Sequence, residues 1–283
     1  TTPAVFRKTV SARGQMVAMR YKKLGLWHDI TWDQYYETAT NISAALIDMG
    51  LEKGSCAAII GDNCPEWVTI DMGIQCAGGV SVGIYTTNAW QEVEYVVSNS
   101  DSVFLFAENE EQLDKWLSFR DSVPALKKVI VWDTKGLREF TDPMVMSLEQ
   151  LIEYGKTLPK THVEQRSEEL RPEDLCVLIY TSGTTGPPKG AMLTHGNVTW
   201  MAEAIVEQNP MDKGDEVLSF LPLCHIFERL LSVFIHLRHA YVVNFVEKPA
   251  TVTDNMIEVS PTVGYAVPRI WEKYFYAIQI RMS

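Results

Sequence analysis

Between Thr31 and Trp132 short apolar runs alternate with stretches of helical period, and this alternation limits the fold more than any other feature. Thr31 with Gln34 reads as a capping box, followed by Tyr35, Ala39, Ile42, Leu46 and Met49 at helical spacing until Gly50 ends the helix. A strand is expected around Ala57 to Ile60. Asn63 with Glu66 reads as the cap of the next helix, with Pro65 in its first turn and Trp67, Ile70, Ile74 and Ala77 on its buried face. The unit repeats: strand at Val80 to Tyr85, a helix opened by Asn88 with Gln91, strand at Val103 to Ala107, helix from Glu110 to Arg120, strand at Lys128 to Trp132. Strands separated by helices in this way predict an α/β fold, a parallel sheet covered by helices on both faces.

Gly136 to Asp174 is less regular. It holds a short helix near Ser147 to Tyr154 and the charged stretch Glu164 to Asp174, which reads as a solvated connection. The strand–helix pattern then resumes. Strands are expected at Leu175 to Tyr180, Val217 to Leu221, Tyr241 to Phe245 and Thr262 to Ala266, with helices at Asn197 to Gln208, Ile226 to Arg238 and Val252 to Val259. Pro268 opens a last helix that is still in phase at Ser283, so the chain reads as a fragment. The expected organisation is one α/β subdomain over residues 1–174 and a second, incomplete one over 175–283, the boundary separating two packed sheets.

After the 175–180 strand comes Tyr180 to His195, YTSGTTGPPKGAMLTH. Hydroxyls (Ser182, Thr184, Thr185), glycines (Gly183, Gly186, Gly190) and Lys189 supply what a polyphosphate needs: free backbone N–H groups, hydrogen-bond donors and a cation. The spacing excludes two common loops. A Walker A loop places its lysine between a glycine and a hydroxyl, whereas Lys189 follows Pro188 and precedes Gly190; the dinucleotide fingerprint fails because residues 181 and 185 are threonines. Pro187-Pro188 stiffens the middle of the loop, giving a mobile hydroxyl-rich arm with a proline elbow and a lysine tip.

YTSGTTGPPKG resembles the phosphate-binding signature of the adenylate-forming superfamily. With Leu221 to Arg229 (LPLCHIFER) and Val267 to Lys273 (VPRIWEK), the chain is most similar to the N-terminal portion of long-chain fatty acid–CoA ligases. The resemblance implies ATP-dependent activation of a fatty acid to acyl-AMP, then transfer to CoA. It implies that Thr181, Ser182, Gly183, Thr184, Thr185, Gly186 and Lys189 enclose the β- and γ-phosphates, and that Thr184 contacts Mg²⁺. It places His225 at the acyl site, donating a hydrogen bond to the carboxylate or acyl phosphate, with His225 and Lys189 the catalytic pair. The alternative for His225 is a structural cap on the 226–238 helix. Glu228 and Arg229, one helical turn on, read as braces for His225. Tyr265 and Val263 read either as wall of a fatty-acyl channel or as core. The family's adenine, ribose and C-terminal lysine motifs lie beyond Ser283, so the fragment alone is expected not to turn over. Two other functions stay open: a fatty acyl-AMP ligase that loads a carrier protein, and a non-catalytic nucleotide- or lipid-binding module.

Charge and cysteine usage set the surroundings. With 25 basic against 36 acidic residues the net charge is -11 and no basic run occurs, which argues against a nucleic-acid partner. Five cysteines without a C-x-x-C pair read as reduced thiols of a cytoplasmic protein, with peripheral contact at a membrane left open. Cys224 beside His225 lacks any residue that would orient His225 as its base, and His236 and His239 lack acidic or cysteine partners for zinc. Trp200 and Met201 read as core.

Overall fold

Eleven strands form two sheets that divide the chain unequally in the computed structural model, which describes residues 1–181 and 186–282. In chain order the strands are β1 (Val17–Lys23), β2 (Leu26–Thr31), β3 (Cys56–Ile60), β4 (Val80–Ile84), β5 (Phe104–Ala107), β6 (Lys128–Val131), β7 (Val145–Ser147), β8 (Leu175–Thr181), β9 (Lys189–Thr194), β10 (Glu216–Ser219) and β11 (Val242–Phe245). The larger sheet runs β7-β6-β5-β3-β4-β8-β9, parallel throughout except for the β8–β9 hairpin. The smaller runs β10-β11-β1-β2, with only the β1–β2 hairpin antiparallel. The sheets are therefore not shared out at residue 175: β8 and β9 complete a sheet built mainly from the first half, and β1 and β2 join strands of the second.

Strands β3 and β5 are apolar on both faces because both faces are covered. Along β3, Ala57 and Ile59 enter one core and Ala58 and Ile60 the other, and β5 divides likewise, with Phe104 and Phe106 against Leu105 and Ala107. Side chains of a strand alternate between faces, so each run feeds two layers. Helices Trp90–Asn99 and Glu110–Leu117 close one face through Val93, Val96, Val97, Leu113 and Trp116. On the other face helices Trp32–Asp48, Pro65–Cys76, Leu148–Lys156 and His195–Gln208 contribute to a core that also takes Met19, Val217, Val243 and Phe245 of the smaller sheet.

The Thr31–Gln34 capping box is present, Gln34 N donating to Thr31 Oγ1 at 3.2 Å and Thr31 N to Gln34 Oε1 at 2.8 Å. The helix Val252–Val259 has the expected bounds. Other expectations are corrected. Asn63 caps nothing: the helix begins at Pro65 behind Cys64, without a side-chain cap. Asn88 stops short of the next helix, which starts at Trp90 with Glu92 accepting from Ala89 N at 3.0 Å. Part of Glu164 to Asp174 is helical, Thr161–Glu169, pinned by the single buried residue Val163. Residues 260–267 are not a strand; Val263 N reaches Glu216 O at 3.3 Å, but no ladder continues. Trp200 and Met201 are not core: they are 67% and 41% exposed.

Candidate functional site

The phosphate-loop candidate hangs from the hairpin β8–β9, at the carboxyl end of the parallel sheet, where open α/β sheets leave a crevice for ligands. Thr181 and Lys189 face each other across the hairpin mouth, and both are exposed. Ser182, Gly183, Thr184 and Thr185 lie outside the described residues. The returning limb is anchored, since Tyr95 OH donates to Pro188 O at 3.0 Å, and Gly186 takes a φ of +87° that suits glycine. Beneath the mouth Tyr180 OH donates to Asn99 Oδ1 at 2.8 Å, fixing the end of β8 to the helix Trp90–Asn99. The cation of Lys189 thus stands at the rim, held by strand pairing rather than by loop chemistry. Sequence reading extended the loop to His195 and missed β9, because KGAMLT alternates only weakly.

A second turn, Phe220 to His225, approaches the same sheet end. A Cβ on Gly83 of β4 would meet Cys224 Cα at 2.7 Å, so a side chain there is incompatible with the turn's position. Gly83 pairs with Ile179, two residues before Thr181, and this register brings the His225 turn to the strand beside the phosphate-loop hairpin. His225 does cap the helix Ile226–Arg229: its Nδ1 accepts from Phe227 N at 3.1 Å. That bond leaves the proton of the neutral ring on Nε2, which makes the exposed nitrogen a hydrogen-bond donor. The cap and the binding role are compatible, one nitrogen serving each.

The helix carrying this turn continues to His239 through a π-helical stretch, Leu230–Ile235. Its first charged residues do not brace His225 as expected. Arg229, fully buried, donates from Nε to Asp71 Oδ2 at 3.0 Å, from Nη2 to Asp71 Oδ1, and from Nη2 to Ser81 Oγ at 2.5 Å, with its guanidinium 5.1 Å from the Trp67 ring centroid. Glu228 Oε1 accepts from Ser219 Oγ at 2.7 Å and Ser232 Oγ at 2.6 Å, and burial pushes its carboxyl up to about 7. Cys224 is no nucleophile in this setting, because burial pushes its thiol up to about 12. His236 is core, stacked on Trp32 at 4.4 Å between centroids and lowered by burial to about 3.

Tyr265 lies half-buried beside this turn. Its ring meets Phe227 edge-on at 6.4 Å, and its hydroxyl lies 3.3 Å from Met211 Sδ. With Leu218, Phe220, Met256, Val263 and Trp271 it lines an apolar cavity of about 380 Å³. Phe227 is two residues from His225, so the cavity opens beside the polar turn. Sequence reading missed Asn63, Gly83, Tyr95 and Asn99 as parts of this region: Asn63 reads as a helix cap, and Gly83 lies unremarked inside the expected Val80–Tyr85 strand.

The family model described as AMP-binding enzyme matches residues 6–281. The chain belongs to the AMP-binding enzymes. Among relatives of this AMP-binding chain, the long-chain-fatty-acid–CoA ligase ACSBG2 of Xenopus laevis is 35% identical over 280 residues, covering 96% of this chain and 38% of that protein. The Homo sapiens ACSBG2 is 36% identical over 278 residues, covering 96% and 41%. The chain thus spans about two fifths of the length of the curated relatives it matches. The fold is similar to that of the anthranilate CoA ligase AuaEII in complex with anthranoyl-AMP, with a TM-score of 0.81 at 23% identity over 94% of this chain and 49% of that one. It is also similar to the A domain of carboxylic acid reductase from Segniliparus rugosus, with a TM-score of 0.82 at 21% identity over 98% and 50%.

Proposed function

We propose that the chain is the N-terminal portion of a long-chain fatty acid–CoA ligase, supplying the triphosphate grip and part of the acyl site. The observation that carries this is the convergence on one sheet end of the Thr181–Lys189 mouth and the His225 turn, with the apolar cavity lined by Tyr265 alongside. In the reaction a fatty-acid carboxylate oxygen attacks the α-phosphorus of ATP, the bond to the bridging oxygen breaks, and pyrophosphate leaves. The CoA thiolate then attacks the acyl carbonyl and AMP departs. Two anions meet in the first step, so the protein's task is positioning and charge stabilisation. Lys189 and the backbone N–H groups of residues 182–186 offset charge on the β- and γ-phosphates. His225 donates from Nε2 to the carboxylate, and later to the acyl phosphate.

Thr184 would offer its hydroxyl to a magnesium ion, which would supply charge neutralisation on the triphosphate. Among the described residues no three His, Cys, Asp or Glu side chains gather to hold a metal ion. The cytoplasmic reading is supported by cysteine usage, five cysteines without a C-x-x-C pair. Among the described residues no helix is long and apolar enough to cross a membrane. The test is fatty-acid-dependent ATP–pyrophosphate exchange by the full-length protein. Lys189→Ala and His225→Ala are each expected to lower its kcat by about 10²–10³, the size of loss for one oxyanion donor. Exchange without transfer to CoA, but with transfer to a carrier protein, would instead mark an acyl-AMP ligase. Nucleotide binding without exchange would mark a binding module.

A further inference from the structure

The turn that presents His225 is held by a side chain from the other sheet. Asn63, in the turn after β3, donates from Nδ2 to Ser219 Oγ at 2.9 Å and to Leu221 O at 2.6 Å, and its Oδ1 accepts from Leu223 N at 3.3 Å. These contacts fall on alternate residues of the segment that leaves β10 and ends at His225. β10 finishes at Ser219, so Leu221 O and Leu223 N lie beyond its ladder with β11. Half-buried backbone groups need partners, and one primary amide with two donors and an acceptor replaces the missing strand.

The anchor is itself fixed. Asp62 N donates to Glu108 Oε2 at 2.8 Å, Asp62 Oδ1 accepts from Thr86 Oγ1 at 3.1 Å, and a Cβ on Gly61 would meet the Trp132 ring at 2.2 Å. The turn after β3 is therefore tied to the carboxyl ends of β4 and β5 and packed against Trp132 after β6. Ser219 Oγ passes the restraint on to Glu228, and so to the helix that His225 caps.

We propose that Asn63 is a positioning residue for His225, setting the height of its turn above the sheet end where the phosphate loop begins. The inference rests on the adenylating role of His225 given above. Asn63→Ala removes all three bonds; Asn63→Asp keeps the acceptor for Leu223 N and loses both donors. In the full-length protein, alkylation of Cys224 by a maleimide, mapped by peptide mass spectrometry, reads loosening of the turn, and buried Cys76 and Cys176 serve as core reporters. Both variants are expected to raise Cys224 labelling about tenfold while leaving Cys76 and Cys176 unchanged. In pyrophosphate exchange, kcat is expected to fall about tenfold with KM for ATP unchanged, since a positioning defect appears in the reaction step rather than in ground-state binding. Unchanged Cys224 labelling, a parallel rise at all three cysteines, or faster labelling with kcat unaltered would each overturn the proposal. If the parent protein shows no fatty-acid-dependent exchange, the adenylating role fails on its own, and labelling decides whether Asn63 holds the turn.

Discussion

Arg229 and Glu228 sit side by side in sequence, are both shut away from water, and meet opposite fates. The charge of Arg229 is paired with a carboxylate: Asp71 takes two of its N–H groups and is further bonded by Gln75 Nε2 at 2.8 Å, while Nη1 is buried without a hydrogen-bond partner. Removing one partner of such a pair strands a charge, so Asp71→Ala is expected to cost about 3–5 kcal/mol in denaturant unfolding. Glu228 has only neutral donors, the Ser219 and Ser232 hydroxyls and the Leu221 backbone N–H, and burial raises its pKa from 4.5 to about 7. Folding then penalises the ionised form. The penalty is absent below pH 4.5, grows as pH rises from 4.5 to 7, and is constant above, amounting to on the order of 3 kcal/mol. Glu228→Gln keeps an oxygen for Ser219 and Ser232 and removes the charge. The stability difference between variant and parent, followed by urea unfolding, should therefore grow in the variant's favour across that window. The opposite slope is expected from His195 and His236, held by burial to about 4 and about 3. Their contribution is complete above pH 6.5 and is lost as pH falls towards those values, in parent and variant alike.

Elements were legible where a local rule and the tertiary demand agreed. The Thr31 capping box and the β3 to β6 strands needed no distant partner to be seen, because the box is set by Thr31 and Gln34 alone and each strand is a short run dominated by apolar residues. Elements were lost where the signal was thin. Thr161–Glu169 buries one side chain, so its helical period cannot emerge from nine residues of which all but Val163 are polar or charged. Asn63 has the chemistry of a cap, and tertiary contacts 156 to 160 residues away claimed its amide instead. The His225 turn was readable as a motif, yet its seat against β4 was not. Gly83→Ala tests that seat: the new Cβ meets backbone, which cannot swing aside. The variant is expected to lose about 1–3 kcal/mol of stability. It should also lose most pyrophosphate-exchange activity in the full-length protein while its circular dichroism stays native.

At the scale of the molecule the sheets interlock across the chain, β1 pairing with β11 and β4 with β8. Residues 1–174 alone would leave β1 without its parallel neighbour β11 and β4 as an open edge. Expressed by themselves they are expected to show no cooperative thermal transition by circular dichroism, whereas residues 1–283 should. Residues 1–283 in turn, spanning about two fifths of their relatives, are expected to form no acyl-CoA from fatty acid, ATP and CoA, as checked by chromatography. What the sequence determined by itself was local: strand and helix periods, the hydroxyl- and glycine-rich arm ending in Lys189, and the LPLCHIFER run. Those follow from steric and hydrogen-bonding rules acting over a few residues. Which sheet each hairpin joins, the burial of Arg229 against Asp71, and the seating of the His225 turn on Gly83 of β4, beside β8, were decided only in the tertiary structure. They depend on close approaches between residues roughly a hundred or more apart in sequence, and no local pattern encodes which distant partner a buried polar group will find.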